Sequence, residues 1–137
     1  MKEPHGLARD YGKRPDGLTL IPWQSGCSAT WDVTIIDTLA ASYVHQSATP
    51  TAGAAEIAAT RKLIKYSALS QSYHFFPVAI ETLGPHSASS LDFITDVGKR
   101  IAQRTLDSRE TIFLFQRISI AIQRFNAVCL AKTFAIP

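Results

Sequence analysis

Only two cysteines, Cys27 and Cys129, occur in 137 residues, and no CxxC pair or His at zinc-ligand spacing accompanies them. That scarcity excludes a disulfide framework and a zinc finger, and leaves two reduced thiols in an intracellular protein as the expectation. Long apolar runs are missing too. Arg, Gln, Asp or Ser interrupts each well before the roughly 18 residues a membrane helix needs, and no apolar block follows Lys2 to act as a secretory signal. Residues 17–60 contain no Lys or Arg at all, only Asp32, Asp37 and Glu56. No internal repeat, heptad array or low-complexity tract is present.

What is there suits one compact domain spanning residues 1–137, since 46% apolar and 18% charged composition is ordinary for a chain that forms a core. The net charge of +3 is unevenly placed. Residues 99–137 carry Lys99, Arg100, Arg104, Arg109, Arg117, Arg124 and Lys132 against Asp107 and Glu110, so seven positive charges meet two negative ones. A basic tail beside an acidic middle suits a polyanionic partner.

Residues 1–17 mix Gly, Pro and charge, and Asp10-Tyr11-Gly12 and Pro15-Asp16-Gly17 both read as turn chemistry within a leading loop. Leu18 to Trp23 is a short apolar run, Gln24 to Ser28 a turn, and Thr30 to Ile36 an alternating, β-branched strand, which together predict a hairpin. Residues 37–53 form a connector with one helical turn around Leu39 to Val44 after a capping Asp37. Strong helix formers over 54–69 predict a helix whose Ala-rich first half can lie close to a sheet. Tyr73 to Ile80 is a third strand, with an edge or bulge at Pro77. Ser89 or Ser90 can cap a helix through about Gln103, where Leu91, Ile94, Val97 and Ile101 make one stripe. Asp107-Ser108-Arg109-Glu110 resembles a capping box before a long helix over 112–134. The fold class is α/β in the α+β sense: a small mixed sheet of three to four strands flanked by helices, the last of them long.

Asp is disfavoured in strands, so Asp32 between Trp31 and Val33 breaks a rule its neighbours obey, and such breaks mark function. Alternation sets Trp31, Val33 and Ile35 on one face and Asp32 and Thr34 on the other, while Asp16 enters the preceding strand. Two carboxylates and one backbone carbonyl meet the needs of a hard divalent ion such as Mg²⁺, which retains water and serves phosphodiester hydrolysis. Lys62 and Lys65, three apart on one helix, are the candidates to face bound phosphate, with Tyr66 adding a hydrogen bond. Against this stand plainer readings: Asp16 as turn chemistry, Asp32 as a satisfied structural carboxylate, and the lysines as a solvated face. His5, His45, His74 and His86 have no partner at triad or zinc spacing. Trp23, Trp31, Phe75, Phe76 and Phe125 fit core packing better than base stacking.

Taken together, Arg14-Pro15-Asp16, Trp31-Asp32-Val33-Thr34 and Lys62-Leu63-Ile64-Lys65-Tyr66 resemble the restriction-like endonuclease domain of site-specific non-LTR retrotransposons, a branch of the PD-(D/E)XK nuclease superfamily. The resemblance extends through Phe76 to Gly84, Phe115 to Ser119 and Ile122 to Asn126, which look like C-terminal segments of reverse-transcriptase polyproteins. It implies that Asp16, Asp32 and the carbonyl of Val33 bind Mg²⁺ or Mn²⁺, that Lys62 or Lys65 assists hydrolysis beside Tyr66, and that DNA is the substrate. Thr34 stands where the superfamily's (D/E)xK motif has Lys, and the related domains supply that Lys from the following helix. Fifteen residues precede Asp16, so the resemblance implies a core truncated at its N-terminus and a fragment or domesticated piece of a longer polyprotein. It further implies a nuclear site of action if the nuclease works. Arg14, Arg117, Arg124 and Lys132 are the candidate phosphate contacts, the last three as a basic stripe along the final helix. The competing readings are a non-catalytic nucleic-acid-binding remnant and an interaction module presenting the long helix.

Overall fold

The computed structural model describes residues 14–37 and 52–134. The helical turn expected at Leu39 to Val44, the Asp10 to Gly12 turn and most of the leading loop lie outside the described residues. Three strands form one mixed sheet in the order β1 (Gly17–Leu18), β2 (Ala29–Ile36), β3 (His74–Glu81). β1 runs antiparallel to β2, and β3 runs parallel to it. Among the described residues three α-helices, α1 (Gly53–Lys65), α2 (Ala88–Thr105) and α3 (Glu110–Thr133), and a 3-10 turn over Ser67–Gln71 accompany the sheet. The mixed sheet, its flanking helices and the long last helix agree with the sequence reading. None of the helices among the described residues is long and apolar enough to cross a membrane.

The sheet sorts side chains by strand alternation. Ile36 and Ala79 pack under Ala54, Ala55, Ala58 and Ala59 of α1, where small side chains let the helix lie close. Val78 and Ile80 face the other way, onto Phe93 and Ile94 of α2 and Ile122 of α3, with Trp23, Trp31 and Phe76 against them. Phe76 stacks on Phe93 with centroids 4.4 Å apart, and Phe75 meets Tyr66 at 4.9 Å on the α1 side. Four of the five aromatic side chains read as core are therefore packed. Phe125 departs from that reading: it is 53% exposed and lines an apolar cleft of about 420 Å³ with Val33, Ile35 and Ala121.

The hairpin expected over Leu18 to Ile36 is shorter than its sequence pattern. β1 ends at Leu18, and Leu20 and Ile21 are 98% and 61% exposed. Thr19 diverts the chain: its amide keeps the ladder bond to the Ala29 carbonyl at 2.9 Å, but its hydroxyl accepts from the amide of Ala29 at 3.0 Å in place of its carbonyl and donates to the carbonyl of Ile21 at 2.9 Å, a local bend.

Proline within β3 has a simple explanation. His74 N–H donates to Ser28 and Thr82 N–H to Ile36, so even-numbered β3 residues bond β2 and odd-numbered ones face the free edge. Pro77 is one of the latter and has no N–H to satisfy. The remaining edge groups are sealed: Ala79 N–H donates to Ser90 Oγ at 2.7 Å, Ser87 N–H to the carbonyl of Ala79 at 3.0 Å and Glu81 N–H to that of Pro85 at 2.8 Å. Ser87, not Ser89 or Ser90, caps α2 by accepting from Ser90 N–H, because Ser90 is committed to the β3 edge. The Asp107 box differs as well. Arg109 is the cap residue of α3, and Asp107 Oδ1 accepts from the Arg109 amide at 2.9 Å.

Helices α2 and α3 approach closely at Gly98, where a Cβ would stand 2.7 Å from the Thr111 backbone Cα. Backbone cannot yield as a flexible side chain does, so Gly98→Ala should destabilise the fold by about 1–3 kcal/mol, the scale of overpacking. Urea unfolding measures this, and an unchanged midpoint would show that the crossing is loose.

Candidate functional site

Pro15 is fully buried and Gly17 opens β1, so Pro15-Asp16-Gly17 enters a strand instead of making a turn. Gly17 is required there: an added Cβ would lie 2.1 Å from the Trp31 indole. Thr30 Oγ1, buried, donates to the carbonyl of Gly17 at 2.8 Å and fastens the two strands. Asp16 precedes Gly17, the β1 partner of Trp31, and bonds the backbone on either side of Asp32. Asp16 N–H donates to the carbonyl of Trp31 at 2.9 Å, and its Oδ2 accepts from Val33 N–H at 2.7 Å.

Asp32 is 5% exposed, and Lys62 Nζ meets its Oδ2 at 2.5 Å. Among the described residues no backbone N–H or hydroxyl is directed at that buried oxygen, and the buried Thr34 Oγ1 two residues on likewise has no hydrogen-bond partner. Burial works against the Lys62 charge. The close approach and charge of Asp32, helped by Tyr66 and Asp16, outweigh it and hold the Lys62 pKa above its ordinary 10.5. A raised lysine pKa stabilises the fold below about pH 10.5, and this contribution is lost as pH climbs through the folded-state value.

Lys65 does not reach the carboxylates. Its ammonium sits 4.7 Å above the Tyr66 ring, and the Tyr66 hydroxyl donates to the carbonyl of Arg14 at 3.1 Å. Val33 offers its carbonyl to the β1 side of β2, because even-numbered β2 residues are the ones that bond β3. Among the described residues β1 pairing begins at Gly17 opposite Trp31, so no described strand pairs with this carbonyl, which lies on the Asp16 side of β2. Arg117, Arg124 and Lys132 are exposed on α3, which packs on the Val78 and Ile80 face. They lie across the sheet from Asp16, Asp32 and Lys62, and only Arg14 of the four expected phosphate contacts is near them.

Two groups stand outside the expected site, Glu81 unremarked in the sequence and His86 expected as an ordinary turn or surface histidine. Glu81 is 2% exposed and its Oε1 accepts from Ala55 N–H at 3.2 Å. It thus caps α1, whose own cap residue Ala52 has a left-handed φ of 62° and no capping side chain. Four strand positions beyond the register of Asp32, it belongs to the opposite end of the sheet. His86 faces the Phe115 ring at 5.8 Å, its Nδ1 buried without a hydrogen bond among the described residues, and burial lowers its pKa below 6.5. A histidine held neutral is protonated more readily in the unfolded chain, so stability should fall as pH drops below about 6.5. His86→Phe should flatten that slope in urea midpoints measured at several pH values; equal slopes in both proteins would remove His86 as its source.

The donor set suits a hard cation. Among the described residues no cluster of three or more His, Cys, Asp or Glu forms a metal cage, but Mg²⁺ retains several waters and is commonly held by one or two carboxylates. Asp16, buried Asp32 and the Val33 carbonyl provide oxygen only. No family model matches the chain, and neither a curated protein nor a solved structure matches it.

Proposed function

We propose that the chain is a metal-dependent DNA endonuclease domain of retroelement type, hydrolysing phosphodiester bonds at Asp16, Asp32 and Lys62. The observation that supports this most is the convergence of three separate segments: Asp32 buried on β2, Asp16 ahead of β1 bonded to the backbone on both sides of Asp32, and a helix-borne ammonium on the buried carboxylate. Mg²⁺ or Mn²⁺ would be held by Asp16, Asp32 and the Val33 carbonyl, supplying charge neutralisation and a more acidic water. Val33 N–H fixes the Asp16 carboxylate in orientation. Lys62 neutralises Asp32 in the free protein and, once a phosphodiester is bound, presents its ammonium to the developing negative charge. The sealed environment of Asp32 strengthens these interactions by excluding water. In this reading the parent reverse transcriptase is the natural partner, and the nucleus is where it acts.

A second reading, a non-catalytic nucleic-acid-binding remnant, draws support from Thr34 in the usual Lys position and from the Lys62 pair that already satisfies Asp32. Nicking of supercoiled plasmid separates the two. The nuclease reading expects relaxed circles with Mg²⁺ and none with chelator, and no nicking with either Mg²⁺ or Mn²⁺ would leave the remnant.

A further inference from the structure

We propose that duplex DNA is gripped through its phosphates by a collar of Arg14, Arg61 and Lys65 at the C-terminal end of α1, and not by the basic face of α3. The proposal rests on the nuclease reading and names the partner surface of that same site.

Arg61, Lys62 and Lys65 fall within about 100° of arc on α1 at 100° per residue, and Arg61 and Lys65 are about 6 Å apart along its axis. They are the first cations in the sequence after Arg14. The fold folds that gap away. Tyr66, which follows Lys65, binds the Arg14 carbonyl at 3.1 Å, and Lys65 lies over the Tyr66 ring, so Arg14 and the end of α1 are brought together. Arg61 and Lys65 are exposed, and Lys62 is paired with Asp32. The end of α1 thus brings Arg61, Lys62 and Lys65 together with the Arg14 backbone, with Lys62 set on Asp32.

The α3 cations are differently situated. Arg117 and Arg124 are exposed on a helix whose packed residues cover the opposite face of the sheet. A phosphodiester in reach of Asp16 and Asp32 has neighbouring phosphates on the same side as α1, and contacts across the sheet cannot position it. Phosphate contacts set register and orientation, so the collar would place the scissile bond.

Each phosphate neutralised by a cation contributes about −0.9 to the slope of log affinity against log salt. Binding to a duplex of about 20 base pairs, roughly two helical turns, is measured in chelator so that cleavage plays no part. Arg61→Glu with Lys65→Glu should make that slope shallower by about 2 and weaken binding at least about tenfold. Arg117→Glu with Arg124→Glu should leave both unchanged, and circular dichroism shows whether each variant is folded. The proposal is overturned if the α3 pair carries the loss, if both pairs carry it equally, or if the unaltered protein binds without salt dependence. Binding that follows the collar, with plasmid left uncut in Mg²⁺, would end the nuclease reading and keep the surface. Cutting that persists while collar reversal leaves binding intact would do the opposite.

Discussion

Asp32→Asn should lower Mg²⁺-dependent plasmid nicking by at least about 100-fold, the scale of losing one preorganised electrostatic group in an active site. The amide keeps the size of the carboxylate and removes its charge, so the variant loses cation affinity without opening a cavity. The same change also frees Lys62 from its partner. Lys62 retains a quarter of its side-chain exposure and can turn toward water, so the fold should survive. Nicking by Asp32→Asn within threefold of the unaltered rate would mean that Asp32 is structural.

Lys62→Met is expected to act in two directions at once. Without added metal, Asp32 is left buried and deprived of its Lys62 partner. Removing one partner of a buried pair costs about 3–5 kcal/mol, and the partial exposure of Lys62 reduces this to about 2 kcal/mol. Because the ammonium repels a second cation at Asp32, its removal should raise Mn²⁺ affinity, and bound Mn²⁺ should restore most of the lost stability. Cleavage should nevertheless fall by about 100-fold, since the charge presented to the phosphate is gone. Titration calorimetry and urea midpoints with and without Mn²⁺ follow both effects. Weaker Mn²⁺ binding in Lys62→Met would show that the lysine supports the cation instead of competing with it.

Much of this geometry is legible in the residues, and what is not has identifiable causes. The alternation of Trp31, Val33 and Ile35 against Asp32 and Thr34 gave the correct faces of β2, because each face meets a different helix. Pro77 announced an edge, which β3 is. The choice between Lys62 and Lys65 was also available in the helix period: Lys62 follows buried Ala59, Ala58 and Ala55 by three, four and seven positions, which turns it toward the sheet. By contrast, the early end of β1 depends on two hydrogen bonds of Thr19, and no apolar pattern records them. Ser87 took the cap of α2 because Ser90 was needed at the sheet edge, a tertiary demand that local capping preference does not contain. Glu81 ends an apolar strand and gives no local sign that it will cap a helix starting 28 positions before it. On α3 the apolar period is real, yet only Ile122 is buried; the stripe exceeds the surface that this sheet and α2 offer.

The central claim is that Asp16 and Asp32 share one divalent cation. Crystals soaked in Mn²⁺ and measured for anomalous scattering test it most directly. The account predicts a single strong peak about 2 Å from a carboxylate oxygen of each Asp, with Lys62 Nζ moved off Asp32. Absence of a peak there at saturating Mn²⁺, with the Lys62–Asp32 pair intact, would contradict it.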